Sequence, residues 1–221
     1  MSEEVRESAF EALVAKLRKV KMEEPAPAPV GMPPLMHEFL RAFLVWEASP
    51  SKADKAMTKV LSSIVDLNEL RICLPHEIIG IIGQKYPACE ERAARLRSSL
   101  NDLFRREHDV SLDHLTAMPK RDARSYLESL EGTPPFVAAR VSLLGLGAHA
   151  VPIDARLAGL LASEGVFPAG TDLVSVSSWL ERRIRAVEAR ETYLQLESWS
   201  ETQRKRPPAA TAKGRSPKST K

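Results

Sequence analysis

Apolar residues recur every three or four positions along most of the chain between residues 36 and 199, and this spacing constrains the fold most strongly. Such spacing places apolar side chains on one face of an α-helix, whereas a half-buried strand requires strict alternation. No stretch of the chain alternates polar and apolar residues in that way. The pattern therefore predicts an all-α protein. Helices are expected over residues 36–47, 52–71 (two helices divided near Asp66), 90–104, 111–117, 120–130, 136–147, 154–163 and 173–199 (a pair).

Prolines divide the N-terminal part of the chain. Residues 1–22 predict an amphipathic helix that docks on the body or on a partner. Residues 23–35 contain Glu24-Pro25-Ala26-Pro27-Ala28-Pro29 and predict a stiff linker that no helix can cross. Residues 36–200 predict the helical body. With 43% hydrophobic residues, the chain of 221 residues can bury one sizeable core or two small lobes.

Charge is distributed unevenly along the chain. Residues 204–221 hold seven basic and no acidic residues, so residues 1–203 keep 25 basic and 29 acidic ones and a formal charge of −4. The composition of residues 201–221 predicts a disordered basic tail. Two roles stay open for it: Arg204, Lys205 and Arg206 contact DNA phosphates without sequence preference, or the tail serves solubility alone.

Several classes of protein are disfavoured by composition. No apolar stretch approaches the roughly 20 residues that a membrane span needs, and the acidic N-terminus lacks the pattern of a signal peptide. We therefore expect a cytoplasmic protein with no membrane partner, associated with the nucleoid if the source is bacterial. Cys73 and Cys89 are too few for a disulfide framework or a four-ligand metal site, and the five histidines show no ligand spacing.

The segment 127–141 carries the most specific local signal. One helix is expected to end at Gly132, which can adopt a left-handed conformation, and Pro134 with Pro135 presets the first turn of the next helix. The result is a helix-hairpin-helix, a turn that can direct backbone N–H groups at a phosphate. Gly132 and Thr133 are therefore candidate DNA contacts. Asp154 is expected in the first turn of the following helix, where the helix dipole favours a carboxylate.

The stretch from Leu130 to Leu160 resembles the core of the helix-hairpin-helix DNA glycosylases of the endonuclease III superfamily. Gly132 matches the first glycine of that family's hairpin, and Val151-Pro152-Ile153-Asp154 matches the loop that presents its essential aspartate. The 18-residue step from Phe136 to Asp154 matches the family's step from its lysine position to that aspartate.

The resemblance implies a two-lobed helical fold that acts as a monomer on double-stranded DNA. It also implies hydrolysis of the N-glycosidic bond of a damaged or mispaired base that is flipped out of the duplex. Asp154 would stabilise the positive charge that develops on the sugar or activate the attacking nucleophile. The alternative for Asp154 is a helix-capping carboxylate with no chemistry.

The chain departs from the family pattern in three ways. Phe136 stands where bifunctional members carry a Schiff-base lysine, so we expect a monofunctional glycosylase. Pro134 replaces the second hairpin glycine and Pro135 follows it, so two possible N–H donors to phosphate are lost. The four C-terminal cysteines that hold an iron–sulfur cluster in many relatives are missing, so no cofactor is expected.

Glu47, in Trp46-Glu47-Ala48-Ser49, stands where relatives often carry an amide side chain that fills the gap left by the flipped base. A carboxylate is poorly suited to lie beside phosphates. A role in the base pocket or the gap is therefore weighed against a solvated glutamate at a helix end. Three functions remain open: a monofunctional DNA glycosylase, the same fold as a catalytically inactive DNA- or protein-binding module, and a helical protein with no nucleic-acid role.

Overall fold

The computed structural model describes residues 2–203 and contains no strand among them. The all-α prediction is confirmed. No helix in that range is both long and apolar enough to cross a membrane. The helices are α1 (Glu3–Leu17), α2 (Pro34–Val45), α3 (Pro50–Ser63), α4 (Leu67–Ile72), α5 (Pro75–Ile82), α6 (Cys89–Glu107), a 3₁₀ helix (Asp113–Ala117), α7 (Lys120–Ser129), α8 (Pro135–Arg140), α9 (Ala155–Ser163), α10 (Leu173–Arg183) and α11 (Ala186–Gln203).

Proline and aspartate set many of the helix starts. Helices α2, α3, α5 and α8 each begin with a proline, whose missing N–H is not needed in a first turn. Asp66 caps α4 by accepting the Glu69 N–H at 2.8 Å, so the predicted division near Asp66 lies between α3 and α4. Asp172 caps α10 by accepting the Ser175 N–H at 2.9 Å.

Helix α5 was not expected from the sequence, and several boundaries differ from the expected ones, two of them with a clear structural cause. The helix expected over 136–147 is interrupted, because α8 passes into a π-helical turn, Val141–Gly145, closed by a hydrogen bond from the Leu146 N–H to the Val141 carbonyl at 3.1 Å. Helix α11 continues past residue 199, where the last helix was expected to end, so residues 201–203 are helical rather than part of a disordered tail. Its last turn is fixed to the body because the Glu201 carboxylate accepts the Ser51 N–H at 2.8 Å.

The leading helix docks on the body. Leu13 and Leu17 of α1 are buried, and the Phe10 ring meets the Trp179 ring edge-on at a centroid distance of 5.3 Å. The Glu3 carboxylate accepts hydrogen bonds from Trp179 Nε1 at 2.9 Å and from Arg183 at 2.8 Å. Of the two docking partners left open by the sequence, α1 therefore uses its own body.

The helices form two lobes around one core. Helices α3 to α8 follow one another on one side, and α1 packs with α9, α10 and α11 on the other. Helix α2 is buried along nearly its whole length because α3, α6, α8 and the π-helical turn pack against it. Gly145 permits a close approach of the π-helical turn to α2, since a Cβ atom there would lie 2.4 Å from Leu35 Cδ1.

A buried cluster of charges links three helices. Arg140 of α8 is fully buried and forms ion pairs with Glu38 of α2 and with Glu197 of α11, the latter at 3.3 Å. The Tyr193 hydroxyl also donates to Glu197, at 2.9 Å. Burial raises the pKa of Glu38; for Glu197 the attraction of Arg140 and Arg41 outweighs burial and lowers the pKa. The cluster fixes the relative positions of α2, α8 and α11.

Candidate active site

The hairpin between α7 and α8 is packed closely on α6. Gly132 has φ = +80°, in the region that favours glycine, and a Cβ atom there would lie 2.8 Å from the Arg95 carbonyl oxygen. Backbone cannot yield in the way that a flexible side chain can. Both the left-handed conformation and the close approach therefore require glycine at this position.

We expect Gly132→Ala to destabilise the protein more than the matched change Gly165→Ala. Gly165 has a similar φ of +78°, but a Cβ atom added there would meet nothing within 4 Å, so alanine adds only the conformational cost of about 1–2 kcal/mol. At Gly132, the contact with Arg95 adds about 1–3 kcal/mol. Urea denaturation of both variants measures the difference, and equal losses would contradict the packing argument.

The polar groups of the hairpin are largely bonded within the protein. The Glu131 N–H donates to Asp102 Oδ2 at 2.9 Å, and the Thr133 N–H donates to the Leu130 carbonyl at 3.1 Å. The Thr133 hydroxyl lies 3.0 Å from the Ser99 hydroxyl. These bonds leave the Gly132 N–H as a turn donor with no partner among residues 2–203. DNA contact by Gly132 and Thr133 stays a prediction.

Asp154 is the N-cap of α9 rather than a residue of its first turn. Its Oδ1 atom accepts the Leu157 N–H and its Oδ2 atom accepts the Glu47 N–H, both at 2.8 Å. The side chain is buried, with the residue 1% exposed. Burial, aided by the charge of Glu47, raises the pKa of Asp154 to about 6 against the opposing attraction of Arg156.

Glu47 lies directly against Asp154. It follows α2 with φ = +54°, and its Oε1 atom accepts the Ala155 N–H at 2.8 Å. Two carboxylates therefore share the N-terminus of α9, where unpaired N–H groups and the helix dipole favour negative charge. Glu47 is half-buried and hydrogen-bonded, which differs from the solvated glutamate considered from the sequence.

Arg92 holds the turn that presents Glu47, and the sequence pattern did not single it out. Its buried guanidinium donates to the carbonyls of Phe43 and Trp46, and to that of Pro87 at 2.8 Å. The bonds to Phe43 and Trp46 satisfy carbonyls at the C-terminal end of α2. Burial lowers the pKa of Arg92 to about 10. The available signal was an arginine on the apolar stripe of the helix expected over 90–104.

A cavity of about 310 Å³ opens beside the two carboxylates, between the hairpin and α10. Aromatic and aliphatic side chains form much of its wall, among them Trp46, Phe136 and Ile153. Arg95 and Arg124 also line it, although each is paired with a glutamate on its own helix, at 2.8 and 2.9 Å. An apolar concavity with a few polar groups, in a range of about 300–1,000 Å³, is typical of a site for a small organic group.

Phe136, which the resemblance aligns with a Schiff-base lysine, lies in the wall of this cavity and has no amine. Phe136 is buried at the start of α8 and lines the wall. The nearest lysine upstream, Lys120, donates to the Gly147 carbonyl at 2.6 Å and is not among the lining residues. The wall formed by the described residues therefore presents the carboxylates of Glu47, Glu128 and Asp154 and no lysine amine.

The remaining groups considered from the sequence are three basic residues of the tail and the two cysteines. Arg204, Lys205 and Arg206 fall outside the described residues. Cys73 ends α4 and Cys89 begins α6, and two thiols in the whole chain do not fit the four thiolates of an iron–sulfur cluster. Among residues 2–203, no group of three or more His, Cys, Asp or Glu side chains is arranged to hold a metal ion.

Solved structures share this arrangement of helices. A thermostable thymine-DNA glycosylase matches with a TM-score of 0.61 and 14% identity, over 89% of this chain and 86% of the other. A non-covalent endonuclease III–DNA complex matches with a TM-score of 0.64 and 12% identity, over 89% and 85%. The Clostridium acetobutylicum 8-oxoguanine glycosylase/lyase, solved with double-stranded DNA, matches with a TM-score of 0.62 and 12% identity, over 91% and 70%.

No protein-family model matches the chain, and no curated protein matches it significantly. The structural matches define the class of fold: the chain has the two-lobed fold of the helix-hairpin-helix DNA glycosylases. The resemblance inferred from the hairpin and from Asp154 is confirmed at the level of the fold.

Proposed function

We propose that the protein is a monofunctional DNA N-glycosylase that hydrolyses the N-glycosidic bond of a damaged or mispaired base, with Asp154 as the catalytic carboxylate. The observation that supports this most directly is the position of Asp154 in the wall of the cavity, beside Trp46 and Phe136. A base flipped from a duplex needs such a pocket, with flat apolar walls and a charged group at the reacting carbon. The shared fold supports the same function.

The chemistry proposed for Asp154 is electrostatic stabilisation with proton acceptance. As the bond from C1′ to the base breaks, its electron pair leaves with the base and positive charge develops on the sugar. A carboxylate in a cavity of low dielectric stabilises that charge. A water oxygen then bonds to C1′; one of its protons passes to the carboxylate and onward to solvent or to the departing base. With a pKa of about 6, Asp154 is mostly ionised at neutral pH, as this role requires.

The existing hydrogen bonds to Asp154 are compatible with that role. Each carboxylate oxygen has two lone pairs, and each accepts one backbone N–H in this structure. One lone pair on each oxygen is left for a water molecule or for the sugar. The direct test is release of free base from duplex oligonucleotides that carry a broad panel of lesions and mismatches. No release from any member of the panel would contradict the proposal.

We expect no covalent protein–DNA complex when the reaction is treated with borohydride. Trapping requires a Schiff base between an amine and C1′, and Phe136, at the position that the resemblance assigns to the lysine, has no amine. The measurement is gel electrophoresis after reduction, with a bifunctional glycosylase as the positive control. A trapped complex that persists in Lys120→Ala would show that another amine reaches C1′.

A second candidate function is a DNA- or protein-binding module that retains the fold without catalysis. The bonds made within the hairpin favour it, because Glu131 and Thr133 direct their N–H groups into the protein. Under either function we propose double-stranded DNA as the partner, bound by a monomer through backbone contacts and without a cofactor.

We expect deletion of residues 204–221 to weaken DNA binding and to flatten its salt dependence. The segment holds seven basic residues, and each phosphate contact adds about 0.9 to the slope of log K against log salt. Fluorescence anisotropy with a plain duplex, measured over a salt series, checks this. Unchanged affinity and slope would assign DNA binding to the body, whose described residues carry the formal excess of negative charge.

A further inference from the structure

Reciprocal hydrogen bonds join the turn after α2 to the N-terminus of α9. The Glu47 N–H donates to Asp154 Oδ2, and the Ala155 N–H donates to Glu47 Oε1, both at 2.8 Å. The third bond, from the Leu157 N–H to Asp154 Oδ1, has the same length. The backbone of Glu47 therefore orients the Asp154 carboxylate, while the Glu47 side chain fixes the helix from which Asp154 projects.

The conformation of Glu47 is costly and is held from several sides. A non-glycine residue with φ = +54° is uncommon and persists where the surroundings impose it. Arg92 imposes it here by binding the carbonyls of Phe43 and Trp46, the second of which belongs to the peptide that precedes Glu47. Its guanidinium also lies over the Trp46 ring, 5.5 Å from the centroid.

We propose that Glu47 is a positioning residue for Asp154, and that its side chain remains at the N-terminus of α9 rather than filling the gap in the duplex. The inference rests on the proposed glycosylase function. Extension of Glu47 into DNA would break the bond from the Ala155 N–H and leave a helix donor unpaired. It would also bring a carboxylate towards phosphates, which repel it.

The charges around Asp154 allow the proposal to be tested through the pKa of Asp154. Glu47 faces Asp154 from the turn after α2, Arg92 from α6, Arg156 from α9 and Tyr193 from α11. Glu47 is the carboxylate in this set and disfavours the ionised form of Asp154. Glutamine is isosteric and keeps an oxygen that can accept the Ala155 N–H. Glu47→Gln therefore lowers the pKa of Asp154 without removing the contact.

The experiment compares Glu47→Gln and Glu47→Ala with Glu77→Gln in the full-length protein. Glu77 is the matched control because its carboxylate accepts the Leu74 N–H at the N-terminus of α5, at 2.7 Å, and lies outside the cavity. Two quantities are measured: the single-turnover excision rate from pH 5 to 8 on a substrate from the panel, and the dissociation constant for a duplex with a tetrahydrofuran abasic analogue.

If Glu47 is a positioning residue, the acidic limb of the profile of excision rate against pH moves to lower pH in Glu47→Gln. In Glu47→Ala the rate falls by about 10- to 100-fold because the carboxylate is no longer aligned, while the dissociation constant changes by less than about twofold. Glu77→Gln matches the wild type in both quantities. A weakened dissociation constant with an unmoved acidic limb would overturn the proposal and assign gap filling to Glu47.

A readout without DNA separates this inference from the proposed function. Carboxyl ¹³C NMR titration follows Asp154 directly, and its pKa is expected to fall in Glu47→Gln. If no panel member is cleaved but this shift is observed, the glycosylase proposal fails and the coupling of the two carboxylates stands. If excision occurs and neither the Asp154 pKa nor the acidic limb moves, the positioning role fails and the glycosylase proposal stands.

Discussion

Replacing Asp154 by asparagine is expected to reduce base excision by roughly 100- to 10,000-fold. Asparagine has nearly the same shape, so the cavity keeps its walls, but a neutral amide neither stabilises a developing cation nor accepts a proton. The measurement is the single-turnover rate at saturating protein on any substrate that the wild type cleaves. A loss of less than about tenfold would show that Asp154 is only a cap, as the simpler interpretation of the sequence holds.

Loss of folding in Asp154→Asn is a separate outcome, so the unfolding free energy must be measured together with the excision rate. The amide oxygen of asparagine can still accept the Leu157 N–H, but its NH₂ group cannot accept the Glu47 N–H that Asp154 Oδ2 accepts. Against that lost bond, the variant no longer carries a buried charge. Because the pKa of Asp154 is raised in the folded state to about 6, ionisation at neutral pH opposes folding. We therefore expect a change in unfolding free energy within about 1 kcal/mol.

Asp172→Asn is the matched control for the cap. Asp172 caps α10 through Ser175, is exposed, and does not line the cavity, so the variant is expected to excise bases at the wild-type rate.

The excision rate of the wild-type protein should fall as the pH drops through about 6, since protonated Asp154 is inactive in the proposed mechanism. A rate that stays constant down to pH 5 would contradict the requirement for an ionised carboxylate.

Replacing Arg140 by methionine is expected to cost about 3–5 kcal/mol of unfolding free energy. The change leaves Glu38 and Glu197 buried without the cation that both of them bind. Since small domains are stable by only about 5–15 kcal/mol, the loss is large enough to lower the melting temperature markedly. Urea denaturation at pH 7 measures it.

Two further variants identify the cause of that loss. Arg190→Met removes an ion pair with Glu24 in which both side chains are about half exposed, and should cost less than about 1 kcal/mol. Glu38→Gln combined with Arg140→Met removes one of the orphaned charges and should recover part of the stability. The loss in Arg140→Met should also shrink as the pH falls, because unpaired buried carboxylates have raised pKa values and fold better when protonated. A loss independent of pH would indicate a packing defect instead.

The features that could be predicted from the sequence are those encoded within a few residues. Proline at a first helical position, glycine with positive φ and aspartate at an N-cap act on their immediate neighbours, so the hairpin at Gly132 and the start of α9 were accessible. Helix α5 was missed because Ile78, Ile79, Ile81 and Ile82 make its second half almost uniformly apolar, so no polar face marks a helical repeat. The π-helical turn was missed because one extra residue in a turn leaves the apolar spacing almost unchanged.

The interactions that shape the candidate site could not be predicted because their partners are distant in the chain. Glu47 and Asp154 are 107 positions apart, and Arg140 and Glu38 are 102 apart. No periodicity links such pairs. Arginine and glutamate are also expected at the surface unless they are paired, so the burial of Arg92 and Arg140 contradicts the average behaviour of their residue types. Only the packed structure brings their partners together.

Asp154 is both a structural anchor of α9 and the proposed catalytic carboxylate, and this combination has an evolutionary consequence. The two oxygens of Asp154 also bind the Glu47 and Leu157 N–H groups, so substitutions less conservative than asparagine remove an anchor of α9 as well as a reactive group. Natural selection for a folded protein would retain aspartate or asparagine here even in a lineage that had lost excision. Its presence in a descendant sequence is consequently weak evidence of enzymatic activity, whereas an exposed residue of the cavity wall, such as Val174, can change once the substrate is gone.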